Sequence, residues 1–161
     1  MKVGHGIFLH TEIQRSITIA AAPDRVWHAF RQIEAWPRWY PGVLAAAWQE
    51  GEPWTPQAVM HLQVQNSLRQ TVTSRADVYE VTHDSLLWEN QSPGLRTLCR
   101  AQFKASPAGG ARLTLQKRYR GAAVVLLRLL KARQEAMLGR GLGNLKQIIE
   151  RTADGNPFNN A

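Results

Sequence analysis

Between Thr11 and Ala20 the chain alternates. Ile13, Ile17 and Ile19 stand at even spacing with polar residues between them, the period-two signature of a strand with one buried face. The period then changes. Ala21-Ala22-Pro23-Asp24-Arg25-Val26-Trp27 opens a short helix, because proline suits the first helical position, where the backbone N–H has no partner, and Asp24 favours the positive helix end. Val26, Trp27, Phe30 and Ile33 give it one apolar face. Pro37 and Pro41, within Trp36-Pro37-Arg38-Trp39-Tyr40-Pro41-Gly42, restrict the next helix to one turn before a loop.

The period returns to two at Ala58, Met60, Leu62 and Val64, which alternate with Val59, His61, Gln63 and Gln65. Val72 to Val81 is rich in β-branched residues and breaks at the turn signature Thr82-His83-Asp84-Ser85. A strand beginning at Leu86-Leu87-Trp88 is stopped by Ser92-Pro93-Gly94. Leu95, Thr97, Cys99, Ala101 and Phe103 then face one way while Arg96, Arg100, Gln102 and Lys104 face the other. After the hairpin signal Pro107-Ala108-Gly109-Gly110, Leu113, Leu115 and Tyr119 alternate with Arg112, Thr114, Gln116, Arg118 and Arg120.

From Gly121 to about Thr152 the spacing predicts one helix, roughly 45 Å long at 1.5 Å per residue. Its apolar stripe is Leu126, Leu127, Leu130, Met137, Leu138, Leu145, Ile148 and Ile149, opposite Arg133, Arg140, Asn144, Gln147 and Arg151. The predicted order is a strand, two short helices, about six antiparallel strands and one long helix. This is an α+β class with a curved antiparallel sheet of about seven strands wrapped around the C-terminal helix. A meander of that length curls, and its apolar concave face needs a cover, which only the long helix is large enough to provide. With no repeat or linker, residues 1–161 read as one domain with a core over 11–152 and a frayed polar tail over 153–161.

Composition narrows the function. Cys99 is the only cysteine, which excludes an internal disulfide framework and a zinc site of paired cysteines. His5, His10, His28, His61 and His83 are scattered without ligand spacing, and no metal or other cofactor is expected. The Gly139-x-Gly141-x-Gly143 run lies inside a helical pattern rather than after a strand, so it carries no phosphate-loop meaning. No signal-peptide pattern is visible and the longest apolar run, Gly121 to Leu127, is too short to span a bilayer, so a cytoplasmic location is expected. The charge of +8 is uneven, with thirteen Lys/Arg against Glu135 and Glu150 between Arg96 and Arg151. Such a surface can meet an anionic membrane or an acidic partner peripherally. It also suits an ordinary solvated face, and nucleic acid is not the expected partner. Trp is enriched, with six residues, five of them in the first third of the chain.

The opening Ile17-Thr18-Ile19-Ala20-Ala21-Ala22-Pro23-Asp24-Arg25-Val26-Trp27, the segment Ile33-Glu34-Ala35-Trp36-Pro37-Arg38-Trp39-Tyr40-Pro41, and the strands Val78-Tyr79-Glu80-Val81 and Leu86-Leu87-Trp88-Glu89 resemble the START-like helix-grip superfamily, also called SRPBCC. That group includes polyketide cyclases and aromatases, the birch-pollen allergen type and lipid-transfer domains. The likeness covers roughly residues 11–152. It implies a pocket between the concave sheet and the last helix, in a superfamily that shares a cavity more than a chemistry.

The alternation supplies a lining for such a pocket: Met60, Leu62, Thr97, Cys99, Phe103, Leu115 and Tyr119 from strands, and Leu130, Gln134, Met137 and Leu138 from the helix. Trp36, Trp39 and Tyr40 are placed near one mouth, with Trp39 counted among the ligand-binding residues. Gln134 on the apolar stripe needs a polar partner, and Gly139, Gly141 and Gly143 leave either ligand volume or close packing. The expected function is binding, transport or sequestration of a hydrophobic lipid-like or aromatic small molecule. One alternative is a cyclase or aromatase that shapes a chain and uses Tyr119, Thr97, Arg75 or Gln134 as polar groups. Another is a protein-interaction module using the basic surface. Cys99 points inward, where free cysteines are commonly inert.

Overall fold

The computed structural model describes residues 10–66, 68–152 and 157–158. The strands are β1 (His10–Ile19), β2 (Val43–Glu50), β3 (Val59–Gln65), β4 (Thr71–Val81), β5 (Ser85–Ser92), β6 (Leu95–Ala105) and β7 (Ala111–Arg120). They form one antiparallel sheet in the order β1-β7-β6-β5-β4-β3-β2, so the first strand closes against the last. Register slips at Val78/Glu80 between β4 and β5, and at two places between β2 and β3, add curvature where the sheet must wrap. Periodicity does not delimit β2, because the run Ala45-Ala46-Ala47 offers little contrast between its faces.

The two short helices follow β1 as expected: α1 (Pro23–Arg31), then a 3-10 turn at Ile33–Ala35 leading into α2 (Trp36–Trp39). Pro23 opens α1, with Asp24 in its first turn and His28 and Arg31 in its last, matching charge to the helix dipole. Val26, Ala29 and Phe30 are buried against the sheet. Phe30 is the hub of an aromatic cluster, with ring centroids 5.7 Å from Trp36, 5.5 Å from Trp39, 6.0 Å from Trp88 and 5.4 Å from Phe103. Trp36 and Trp54 are buried with their indole N–H groups donated to the Phe30 and Arg31 carbonyls, at 2.8 and 2.7 Å. Trp36 is therefore a core residue and does not line a mouth.

The C-terminal segment is not a single helix. It divides into α3 (Val124–Leu129) and α4 (Lys131–Arg151) at Leu130, whose φ of −101° and ψ of 11° leave the helical range. Hydrogen bonds persist on both sides, from the Leu130 N–H to the Leu126 carbonyl and from the Gln134 N–H to the Leu130 carbonyl. The break rotates the buried face. α3 buries Val124 and Leu127 and leaves Leu126 and Leu129 exposed, whereas α4 buries Leu138, Gly141, Leu142, Leu145 and Ile149. Leu126 is thus not part of the buried stripe.

α4 is held mainly along β1. Lys146 Nζ donates to the Thr18 carbonyl at 2.8 Å, the Ala20 N–H donates to Glu150 at 2.7 Å, and Arg15 pairs with Glu135 at 3.4 Å. Arg25 of α1 donates to the Ile149 carbonyl at 3.0 Å. The hairpin between β6 and β7 depends on Gly110, where a Cβ would stand 2.2 Å from the Ile19 carbonyl oxygen and φ is +76°. Of the tail expected to fray, 153–156 and 159–161 lie outside the described residues. Pro157 is buried and Phe158 packs on the core under the Arg38 guanidinium, 5.3 Å from the ring centroid. Among the described residues, no helix is long and apolar enough to cross a membrane.

Candidate functional site

Strand register places two adjacent rows of side chains on the concave face. One runs Ile13, Lys117, Cys99, Trp88 and Val78 across β1, β7, β6, β5 and β4. The next runs Thr11, Tyr119, Thr97, Asn90, Ala76, Met60 and Trp48, ending on β2. Neighbouring strands lie about 4.8 Å apart, so members of a row are in lateral contact range. Polar groups are concentrated here: Lys117, Cys99, Tyr119, Thr97 and Asn90 stand together among apolar neighbours.

Met60, Leu62, Thr97, Cys99, Phe103, Leu115 and Tyr119, all expected on this face, are buried, and so is Leu138, expected from the helix. Trp39 is buried in the aromatic cluster. Leu130, Gln134 and Met137 are half-buried along the helices that cover the sheet. A Cβ on Gly42 would come 3.6 Å from Met137 Cε, so the loop after α2 and the middle of α4 adjoin. Gly141 does not provide spare volume: a Cβ there would meet Pro41 Cδ at 3.0 Å and the Trp39 carbonyl at 3.5 Å. Arg75, whose face the sequence leaves ambiguous, points outward and pairs with Asp77 at 3.0 Å and Glu50 at 3.8 Å.

Periodicity alone does not single out Lys117 and Asn90. Lys117 has the same strand parity as Leu113, Leu115 and Tyr119, and that parity is the available signal. Its ammonium lies 4.6 Å from the centroid of the Tyr40 ring, a cation–π contact between β7 and the loop after α2. Among the described residues it has no carboxylate in ion-pair range. Asn90 Nδ2 approaches the Cys99 sulfur at 3.8 Å, while Asn90 Oδ1 and the indole nitrogens of Trp88 and Trp39 are buried without a hydrogen-bond partner among the described residues.

Burial dominates the titration of this cluster. It pushes the Cys99 thiol up to about 11 and Tyr119 up to about 12, with Lys117 opposing both rises. Tyr40 is held well above the usual tyrosine value, first by burial and then by Cys99. At neutral pH the phenols are therefore neutral hydrogen-bond donors and the thiol is not a nucleophile. Among the described residues, no three His, Cys, Asp or Glu side chains converge as a metal-ligand set.

The convex face differs in kind. Two adjoining hollows of about 360 and 180 Å³ share Leu98 and Arg118, one with His10 and Arg120, the other with Leu87, Arg100 and Gln116. Much of the charge there is already paired. Arg118 meets Glu12 at 3.1 Å, and Arg120 and Arg96 meet the buried Glu89 carboxylate at 3.3 and 3.7 Å. Tyr79 also donates to Glu89, at 3.3 Å.

A sequence model of the family described as polyketide cyclase/dehydrase and lipid transport matches residues 10–150. No curated protein matches the chain. Among solved structures, an aromatase/cyclase from Streptomyces sp. R1128 is similar at 15% identity and a TM-score of 0.74, covering 91% of this chain and 97% of that one. A protein of Thermus thermophilus is similar at 15% identity and 0.73, covering 89% and 100%. A START superfamily protein from Mycobacterium smegmatis is similar at 16% identity and 0.66, covering 85% and 98%. At these identities the likeness establishes the helix-grip fold.

Proposed function

The chain belongs to the polyketide cyclase/dehydrase and lipid-transport family, and we propose that it binds a hydrophobic lipid-like or aromatic small molecule between the concave face of the sheet and α4. The observation that carries this reading is the pair of concave rows, in which apolar side chains surround Asn90 Oδ1 and the Trp88 indole N–H, both without partners among the described residues. A solid core satisfies its buried polar atoms or omits them. A site for a mostly apolar ligand holds a few convergent polar groups that fix orientation. Met60, Leu62, Thr97, Cys99, Phe103, Leu115, Tyr119 and Leu138 form the enclosed part of the proposed lining, with Trp39 at its aromatic end. Leu130, Gln134 and Met137, half-buried, mark its approach.

The test is titration with a neutral apolar dye, N-phenyl-1-naphthylamine. We expect a stoichiometry near one and a rise in melting temperature, because a ligand selecting the folded state stabilises it by mass action. Met137→Trp, adding bulk at the half-buried approach, should weaken dye binding while leaving the fold intact. Absence of binding, or binding indifferent to that substitution, contradicts the proposal.

The neutral phenols of Tyr40 and Tyr119 favour one second reading, a cyclase or aromatase that positions a carbonyl-bearing chain through hydrogen bonds. In that case Tyr119→Phe should lower turnover about a hundredfold while binding persists. In a passive binder it should change affinity by about 0.5–1.5 kcal/mol.

A further inference from the structure

We propose that the ligand carries one anionic oxygen group, a carboxylate or an acidic phenolate or enolate, and that Lys117 receives it. The inference rests on the concave-face binding reading and specifies the chemistry of that ligand. Lys117 is half-buried on the concave face, with Ile13 and Cys99 as its neighbours in the row. The structure offers it a tyrosine ring, yet no carboxylate among the described residues. Both Arg118 and Arg120, its neighbours in sequence, face outward and do have carboxylate partners, so the missing counter-charge is particular to the inward position.

The surrounding polar inventory has the same sign. The Trp88 indole N–H, in the row of Lys117 and Cys99, is a donor without a partner among the described residues, and Tyr40 and Tyr119 are neutral phenols able to donate. Cys99 is held as a thiol, so no thiolate neutralises the ammonium. Asn90 Oδ1 is the acceptor among them. A site with one fixed cation and mostly donors favours an acceptor bearing negative charge over an amine or a plain alcohol. Apolar residues on both flanks require the rest of that molecule to be hydrocarbon or aromatic.

The experiment compares dodecanoate with dodecan-1-ol as competitors of N-phenyl-1-naphthylamine, at about pH 7.5, where the carboxylate is ionised. The wild-type protein should bind dodecanoate about tenfold or more tightly than the alcohol. Lys117→Met should remove that preference while keeping alcohol affinity within about threefold, and Lys117→Arg should restore part of it. Arg118→Gln, on the opposite face, should leave it unchanged. Equal affinities in the wild type overturn the inference without any variant having to fold. A preference that survives in Lys117→Met, or that is lost in Arg118→Gln, overturns it as well. If neither compound displaces the dye from a protein that binds the dye, the anionic-ligand inference falls alone; if the dye itself does not bind, the concave-site reading falls with it.

Discussion

Gly141 and Pro41 pack so closely that a Cβ on the glycine would stand 3.0 Å from the proline Cδ. The contact joins α4 to the loop after α2, and Asn144 reinforces it by donating to the Trp39 carbonyl at 3.2 Å. Gly141→Leu is therefore expected to destabilise the protein by about 1–3 kcal/mol, the usual range for overpacking. Among the described residues, an added Cβ at Gly139 or Gly143 would meet nothing within 4 Å beyond its own stretch of helix, so alanine at either should add up to about 1 kcal/mol through helix propensity. Denaturant melts check both. Equal responses at the three glycines would contradict this packing.

Glu89 is a buried carboxylate on the outer side of β5, shared by Arg96, Arg120 and Tyr79. Removing it strands two guanidinium groups and a phenol. Because the arginines are half in solvent, Glu89→Ala should cost about 1–3 kcal/mol, less than a fully enclosed pair. Urea midpoints measure it, and a change below about 0.5 kcal/mol would show that water already screens the cluster.

Glu150 closes the C-terminal end of α4 onto β1. Hydrogen bonds from Lys146 and from the Ala20 N–H hold its carboxyl below the ordinary value of 4.5. A depressed folded-state value means stability that is present above 4.5 and lost as pH falls through the lowered value. Wild type should exceed Glu150→Gln in stability near neutrality, and the two should converge in acid below that window. A difference independent of pH would contradict the assignment.

The alternation of apolar and polar residues locates β1, β3, β6 and β7 because each has one face in solvent and one in the core. β2 escapes it because three consecutive alanines look alike on both faces. The break at Leu130 is hidden because Leu126, Leu127, Leu129 and Leu130 are apolar all round, and periodicity cannot show which of them turns outward. Most of the proposed lining is legible as inward strand positions. Lys117 shares the parity of Leu115 and Tyr119, but alternation does not distinguish a lysine lying along an apolar face from one whose long side chain turns to solvent. The role of Gly141 depends on Pro41, a hundred residues away in sequence, and no local pattern reports such a contact.

Cys99 should be unreactive in the folded protein. Its thiol is buried and raised to about 11, so little thiolate exists at about pH 8. Reaction with a disulfide reagent should be slow and accelerate when denaturant unfolds the chain. Rapid stoichiometric labelling of the native protein would restore a nucleophilic role for this residue.

We propose that an apolar ligand enters the concave face under α4, although hollows lie on the convex side. Methyl-resolved NMR during titration with N-phenyl-1-naphthylamine separates the two directly. Binding on the concave face should shift Met60, Leu115, Met137 and Leu138, on the sheet and on α4, and leave Leu87 and Leu98 unmoved. Shifts confined to Leu87 and Leu98, which belong to the outer hollows, would contradict it.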